Sequence, residues 1–416
     1  MKTILSKFFL ILSLSAFLFS CSKTDSFSSN TPNIRPMQVA ESSLLVSSND
    51  FCFDYFKILS QNEPSQNVMF SPYSAHAALS MLIHGASGLT KQEIKDALRI
   101  SSQSDEEVKA SFKSLKEYLL QVDKSVTLNI ANSIWARQGF PVNANFTAAM
   151  NEFYQAEVNS LDFNNPQSIS TINNWVSKQT ASRIPTILEK LNADDMMVLL
   201  NAVYFKSDWK TKFNAELTAK APFTKDDASV IQVYMMQSDK MEAWQYSNSE
   251  IQFIDIPFGN GGYSYSVIMP QGNKTLDDLI AEFTIQKWQA IISLEPKTLE
   301  NANFIQLKMP KFKFAYEQKM NDHLQAMGIK RAFTQSAELP NLFTDSMSLM
   351  VSNVTQKAFI QVDEMGGEAA AVTSITVGVT SVGPGFTIVN RPFVFVIREK
   401  NSNAILFIGK VHQPVF

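Results

Sequence analysis

Cysteine is nearly absent. Only Cys21 and Cys52 occur among 416 residues, so neither a disulfide framework nor a cysteine-based zinc site can be assembled. Histidine is scarce too, and the scatter of His76, His84, His323 and His412 argues against a histidine-rich metal site. Positive charge is not in excess: 36 Lys and Arg face 39 Asp and Glu, whereas bulk electrostatic binding of nucleic acid needs a basic surplus. Also missing are a Gly-x-Ser-x-Gly elbow, a Walker-type phosphate loop, HExxH and CxxC. Gly85-Ala86-Ser87-Gly88 has the glycines but neither the elbow spacing nor a preceding strand. His84, near the end of an apolar helix, reads as a packed or capping residue. Nothing points to catalysis, and no cofactor or metal is called for. What is plentiful is apolar material, 45% against 18% charged, enough for a sizeable core and too much for a disordered chain.

Residues 1–20 read as an export signal. Lys2 and Lys7 supply the positive end, and Phe8 to Phe19 form an apolar run broken by Ser13 and Ser15, short of the roughly 20 residues of a membrane span. Leu18-Phe19-Ser20-Cys21 resembles a bacterial lipobox, with Phe19 bulkier than usual. On that reading Cys21 is lipidated and anchors an exported chain to a membrane, facing the periplasm or the cell surface. Ser22 to Ser48 hold eight serines and two prolines with little apolar periodicity, which predicts a flexible tether over 21–48 and a globular domain over 49–416. Cys52, among Phe51, Phe53, Tyr55 and Phe56, fits a buried unpaired thiol.

Helix signals crowd the early part. Asn49-Asp50 precede the stripe Phe51, Tyr55, Ile58 and Leu59, and Ser71-Pro72 open the stripe Ala75, Ala78, Leu79, Leu82 and Ile83. Thr90 with Glu93 and Ser104 with Glu107 fit capping boxes. Strand signals follow at Thr127 to Trp135, Met197 to Phe205, and Ile251 to Phe258 paired with Tyr263 to Met269 across a glycine-rich turn. Lys311 to Phe314 alternates charge and aromatic, a strand with one wet face rather than a basic binding patch. Ala358 to Val362, Phe386 to Ile397 and Ala404 to Gly409 complete an α+β pattern.

The segment 364–385 does not behave as a loop. A connection this long between two strands is uncommon and usually functional. Its first half is glycine and alanine, and its second half is β-branched. Alternate residues from Gly367 (Ala369, Ala371, Thr373, Ile375, Val377) are uncharged and grow in size, while the other face carries Glu368 with Ala370, Val372 and Ser374. That is a latent strand with an inside and an outside. Left exposed, such an edge invites aggregation, so its retention needs a reason.

Five ordered motifs carry a resemblance over about residues 49–416: Asn67 to Ser74 with Gly85-Ala86, Leu200 to Lys206 with Trp209, Met309 to Phe312, Glu364 to Thr373, and Asn390 to Phe393 with Phe407 to Lys410. The chain resembles the serpins. The resemblance implies three β-sheets with about nine helices, and an exposed reactive loop that a protease attacks as substrate. The cleaved loop then inserts as a strand and traps the acyl-enzyme. It implies a hinge at Glu364, Gly366, Gly367, Glu368, Ala369, Ala370, Ala371, Val372 and Thr373, and a polar sheet-opening shutter at Ser71, Asn201 and Gln356, glutamine standing where the family usually has histidine. Family spacing from the hinge sets the attacked bond at Thr380–Ser381; counting back from Pro392 sets it at Ser381–Val382. Either primary residue is small and uncharged. That suits elastase-like or subtilisin-like enzymes, with papain-like cysteine proteases as a further option, and disfavours trypsin-like ones. The expected protein is a monomer that binds target proteases and the membrane but no nucleic acid. The alternative is a non-inhibitory member that serves as a binding protein or sacrificial substrate.

Overall fold

The computed structural model describes residues 31–192, 195–296, 304–345, 347–367 and 385–416. Cys21 and the signal and tether up to residue 30 lie outside them, as do Glu368 to Thr373 of the hinge and both candidate reactive bonds, Thr380–Ser381 and Ser381–Val382.

Helices gather early, as the capping signals predict. They are α1 (Val39–Asn62), α2 (Pro72–Gly85), α3 (Gly88–Ala97) and α4 (Asp105–Gln121), with β1 (Val68–Phe70) after the first. In α4, Ser104 and Glu107 form the reciprocal cap, each satisfying the other's backbone N–H. Next come β2 (Thr127–Arg137), α5 (Ala144–Ala149) running into a π-helical turn at Met150–Tyr154, β3 (Ala156–Leu161) and α6 (Gln167–Gln179). Then follow β4 (Met197–Asp208), β5 (Asn214–Thr224), β6 (Val230–Glu242), β7 (Trp244–Ser247), β8 (Ile251–Phe258) and β9 (Tyr263–Pro270). Short helices α7 (Leu276–Glu282) and α8 (Ile285–Ser293) lead to β10 (Phe304–Pro310), β11 (Phe312–Lys319) and α9 (Asn321–Ala326). The chain closes with β12 (Thr355–Val362), β13 (Gly366–Gly367), β14 (Thr387–Ile388), β15 (Phe393–Glu399) and β16 (Ile405–Val411).

The strands make three sheets, ordered β1-β16-β15-β9-β8-β7, β14-β10-β6-β5 and β11-β12-β13-β4-β2-β3. The α+β expectation therefore holds, with nine α-helices among the described residues. β8, β9, β15 and β16 are buried along their whole length except at Gln252, which is why they read as almost unbroken apolar runs. One large core joins them to α1 and α2; a smaller one holds Trp135, Ile172, Val176, Leu200 and Ala202 under α6.

Three boundaries differ from the sequence reading. The ordered body begins before residue 49, because α1 starts at Val39 and Asn49 lies inside it, spending its amide on the Asn403 carbonyl (2.9 Å). The preceding residues also dock. Arg35 forms a pair with the buried Glu41 (2.6 Å) and lies over the Tyr118 ring (4.9 Å), and the Asn33 N–H donates to the Val122 carbonyl. Burial would raise the Glu41 carboxyl, but hydrogen bonds from Arg35 and the Gln38 N–H bring it down to about 2. Second, α3 opens after Ser87, not at Thr90. The Thr90 hydroxyl instead accepts the Glu338 N–H, and Glu93 accepts those of Lys330 and Arg331. Third, the run Phe386 to Ile397 is broken between β14 and β15, where Pro392 has no N–H for a ladder.

Candidate functional site

The third sheet consists of two ladders that do not meet directly among the described residues. On one side β2 pairs with β4 from Thr127↔Lys206 to Ala136↔Met197; on the other, β11 pairs with β12 from Phe312↔Val362 to Lys319↔Thr355. What joins them is β13, through Val362↔Gly367, Gly367↔Ser207 and Gly366↔Asp208. β4 and β12 bound a narrow cleft, with Val203 and Phe205 on one lip, Phe359 to Val362 on the other, and Gly367 among its lining residues. Met69, Phe258, Ile397 and Phe407 line it as well.

Gly366 can only be glycine. Its φ is +156°, and a Cβ there would stand 2.1 Å from the Ser207 carbonyl oxygen and 2.7 Å from Asp208 Cα. Gly367 is different: a Cβ would meet Phe258 and Phe205 at 3.6–3.9 Å, ordinary contact with the core side of the sheet.

The turn that delivers these glycines is held from several directions. Asp363 Oδ1 accepts the N–H groups of Met365 (3.0 Å) and Gly366 (3.3 Å), and its own N–H donates to the Gly366 carbonyl. Trp209 follows β4, stacks on Phe258 at 4.5 Å, and donates Nε1–H to the Asp363 carbonyl and N–H to that of Met365. Glu364 Oε1 accepts from Thr218 (2.7 Å) and Lys311 (3.1 Å). Partial burial works against the Glu364 charge, but those donors hold its carboxyl below the usual range. The far end of the segment is fixed in another sheet: β14 pairs with β10, and Val389 N–H donates to the Lys308 carbonyl.

Of the three residues expected to form a shutter, Ser71 and Gln356 meet directly, at the start of α2. Gln356 of β12 accepts the Ser71 N–H at Oε1 (2.9 Å) and donates from Nε2 to the Ser71 carbonyl (3.1 Å). The Ser71 hydroxyl is buried without a hydrogen-bond partner among the described residues, so its backbone makes the junction. Asn201 of β4 is bonded by Ser74, not Ser71, and donates to Asn132 Oδ1 (2.6 Å). Asn132 in turn reaches the Tyr154 carbonyl (2.8 Å), which also accepts from the buried Lys116 (3.3 Å). Each lip of the cleft is thus tied to one turn of α2, through different residues. Sequence reasoning missed Ser74, Asn132, Asp363, Thr218 and Lys311 as members of this site. His84 is packed as expected, 3.0 Å from the Tyr154 hydroxyl and pushed by burial down to about 4.

β13 thus parts the sheet between β4 and β12, and the described chain resumes in a second sheet at β14. The family model described as Serpin (serine protease inhibitor) matches residues 46–414. Serine protease inhibitor 42Dd of Drosophila melanogaster is 31% identical over 368 residues, covering 87% of this chain and 95% of its own length. Plasma serine protease inhibitor of Bos taurus is 30% identical over 374 residues, covering 88% and 90%. Tengpin, a thermophilic serpin solved in its native state, superposes with a TM-score of 0.81 at 29% identity over 92% of this chain and 97% of its own. Human thyroxine-binding globulin in complex with thyroxine gives 0.81 at 26% identity, over 91% and 100%. The chain belongs to the serpin family. Serpins are generally serine protease inhibitors rather than enzymes, though the thyroxine-bound relative shows that the fold also serves ligand binding.

Proposed function

We propose that this serpin inhibits proteases by substrate-like cleavage within the segment that follows Gly367, uptake of that segment into the cleft between β4 and β12, and trapping of the acyl-enzyme. The observation that carries the reading is the register of β13. Continued inward, Val362↔Gly367 and Gly367↔Ser207 would bring Ala369 opposite Ile360 and Phe205, Ala371 opposite Ala358 and Val203, and Thr373 opposite Gln356 and Asn201. The small uncharged face then meets the core, and Glu368 on the other face falls beside Lys206. By the same count Ile375 and Val377 reach a second, apolar cleft lined by Leu79, Leu82, Met197, Leu199, Phe343 and Val354. Each such side chain adds roughly 1.5–3 kcal/mol of burial in favour of the inserted state.

The small residue at either candidate bond supports elastase-like or subtilisin-like targets, with papain-like enzymes second. The lipobox-like Leu18 to Cys21 supports export and lipid anchoring of a bacterial chain. The test is Ala371→Glu, which would bury a carboxylate against Val203 and Ala358 at a cost of several kcal/mol. With an elastase-like protease, the parent protein should give an SDS-resistant band at the summed mass, and the variant should be cleaved cleanly. A parent protein that is cleaved without such a band, and does not gain thermal stability, would leave the binding or sacrificial-substrate reading.

A further inference from the structure

Phe416 carries a half-exposed ring and follows residues whose backbone is held. Its neighbour Val415 accepts the Lys313 N–H through its carbonyl (2.8 Å), and Gln413 is held at both backbone groups by Asn67. This docking sets the Phe416 ring 4.5 Å from Lys311 Nζ and 5.0 Å from Lys313 Nζ. Lys311 lies 5.4 Å from a second ring, Tyr234, and donates its own N–H to the Tyr234 carbonyl. The same ammonium reaches Glu364 Oε1 at 3.1 Å, and Glu364 begins the turn that feeds Gly366 and Gly367 between β12 and β4.

The geometry points to Phe416 as a positioning residue for loop uptake: with Tyr234 it holds Lys311, and Lys311 fixes Glu364 at the pivot on which the segment swings. This rests on the insertion reading above. Two ring quadrupoles against one ammonium limit where it can go. Thr218 supplies a single neutral hydrogen bond to the same Glu364 oxygen, so without Lys311 in place the pivot loses its only charged partner among the described residues.

The test follows the change in tryptophan emission that W209F abolishes, after the full chain is mixed with an elastase-like protease. The stoichiometry and association rate of inhibition are measured in parallel. F416A should slow the emission change about two- to fivefold and raise the stoichiometry with it, while the association rate is unchanged because encounter takes place on the loop. F416W should restore both. In the K311M background, F416A should have no further effect. Wild-type behaviour of F416A overturns the proposal, and so does equal slowing by F416A with and without Lys311. A parent protein that is cleaved with no emission change and no trapped complex removes the insertion reading itself, and this inference with it.

Discussion

Alanine at position 366 and alanine at position 367 should act in opposite directions. In Gly366→Ala the new methyl would sit 2.1 Å from the Ser207 oxygen and 2.7 Å from Asp208 Cα, both backbone atoms that no rotamer change can move. The strand must retreat by about 1 Å, since real Cβ contacts stay above roughly 3 Å. That gives up the bridge to β4, about two hydrogen bonds at 0.5–1.5 kcal/mol each, and leaves alanine in a φ region that costs about 1–3 kcal/mol. Together these come to about 2–6 kcal/mol against strand entry. Gly367→Ala meets only Phe258 and Phe205 at contact distance. It adds a buried methyl worth about 0.8 kcal/mol and removes roughly 0.5–1 kcal/mol of glycine backbone entropy. The assay is the partition between trapped complex and cleaved inhibitor on denaturing gels, across molar ratios. Gly366→Ala should shift it strongly to cleavage and Gly367→Ala should hold or improve trapping. Equal behaviour of the two variants would refute the claim that β13 guides entry.

Two further outcomes concern charge. Glu41 is held down to about 2, below its ordinary value of 4.5, so the stability it contributes is present above pH 4.5 and lost as pH falls towards 2. Hydrogen exchange of residues 31–38 should accelerate across that window, and Glu41→Gln should show the acid behaviour at pH 7. Burial lowers Lys116 to about 8 from 10.5, so its charging opposes folding increasingly as pH drops from 10.5 to 8, and fully below. Lys116→Met should therefore raise the melting temperature more at pH 7 than at pH 10; an equal rise at both would contradict the charge penalty.

The legible parts of the fold were those specified by neighbours in sequence. Ser71-Pro72 and the Ser104 to Glu107 box located α2 and α4, and apolar runs located β4, β8 and β9. The start of α1 was hidden because its serines imitate a linker, although Ser47 donates to the Arg99 carbonyl (2.8 Å) and Ser48 is buried. At the site, β13 falls near the start of the segment 364–385 that reads as a latent strand, most of which lies outside the described residues, and the family resemblance supplied Ser71, Asn201 and Gln356. Thr218 and Lys311 stayed hidden because they meet Glu364 across 146 and 53 positions. A polar residue on a strand carries no mark of which distant carboxylate it serves. Asn132 and Ser74 were passed over for the same reason.

The docking of Arg35 and Asn33 against α4 has a consequence for reach. A tether running to residue 48 would let the body wander some 90 Å from an anchored Cys21. Eleven residues, 22–32, separate that cysteine from Asn33, whose N–H is docked on Val122, and eleven residues span at most about 40 Å. On the proposed anchoring, the molecule patrols a thin shell over its own membrane. The proteases it meets are then those that come to the surface, and its effective concentration there is set by area rather than by volume.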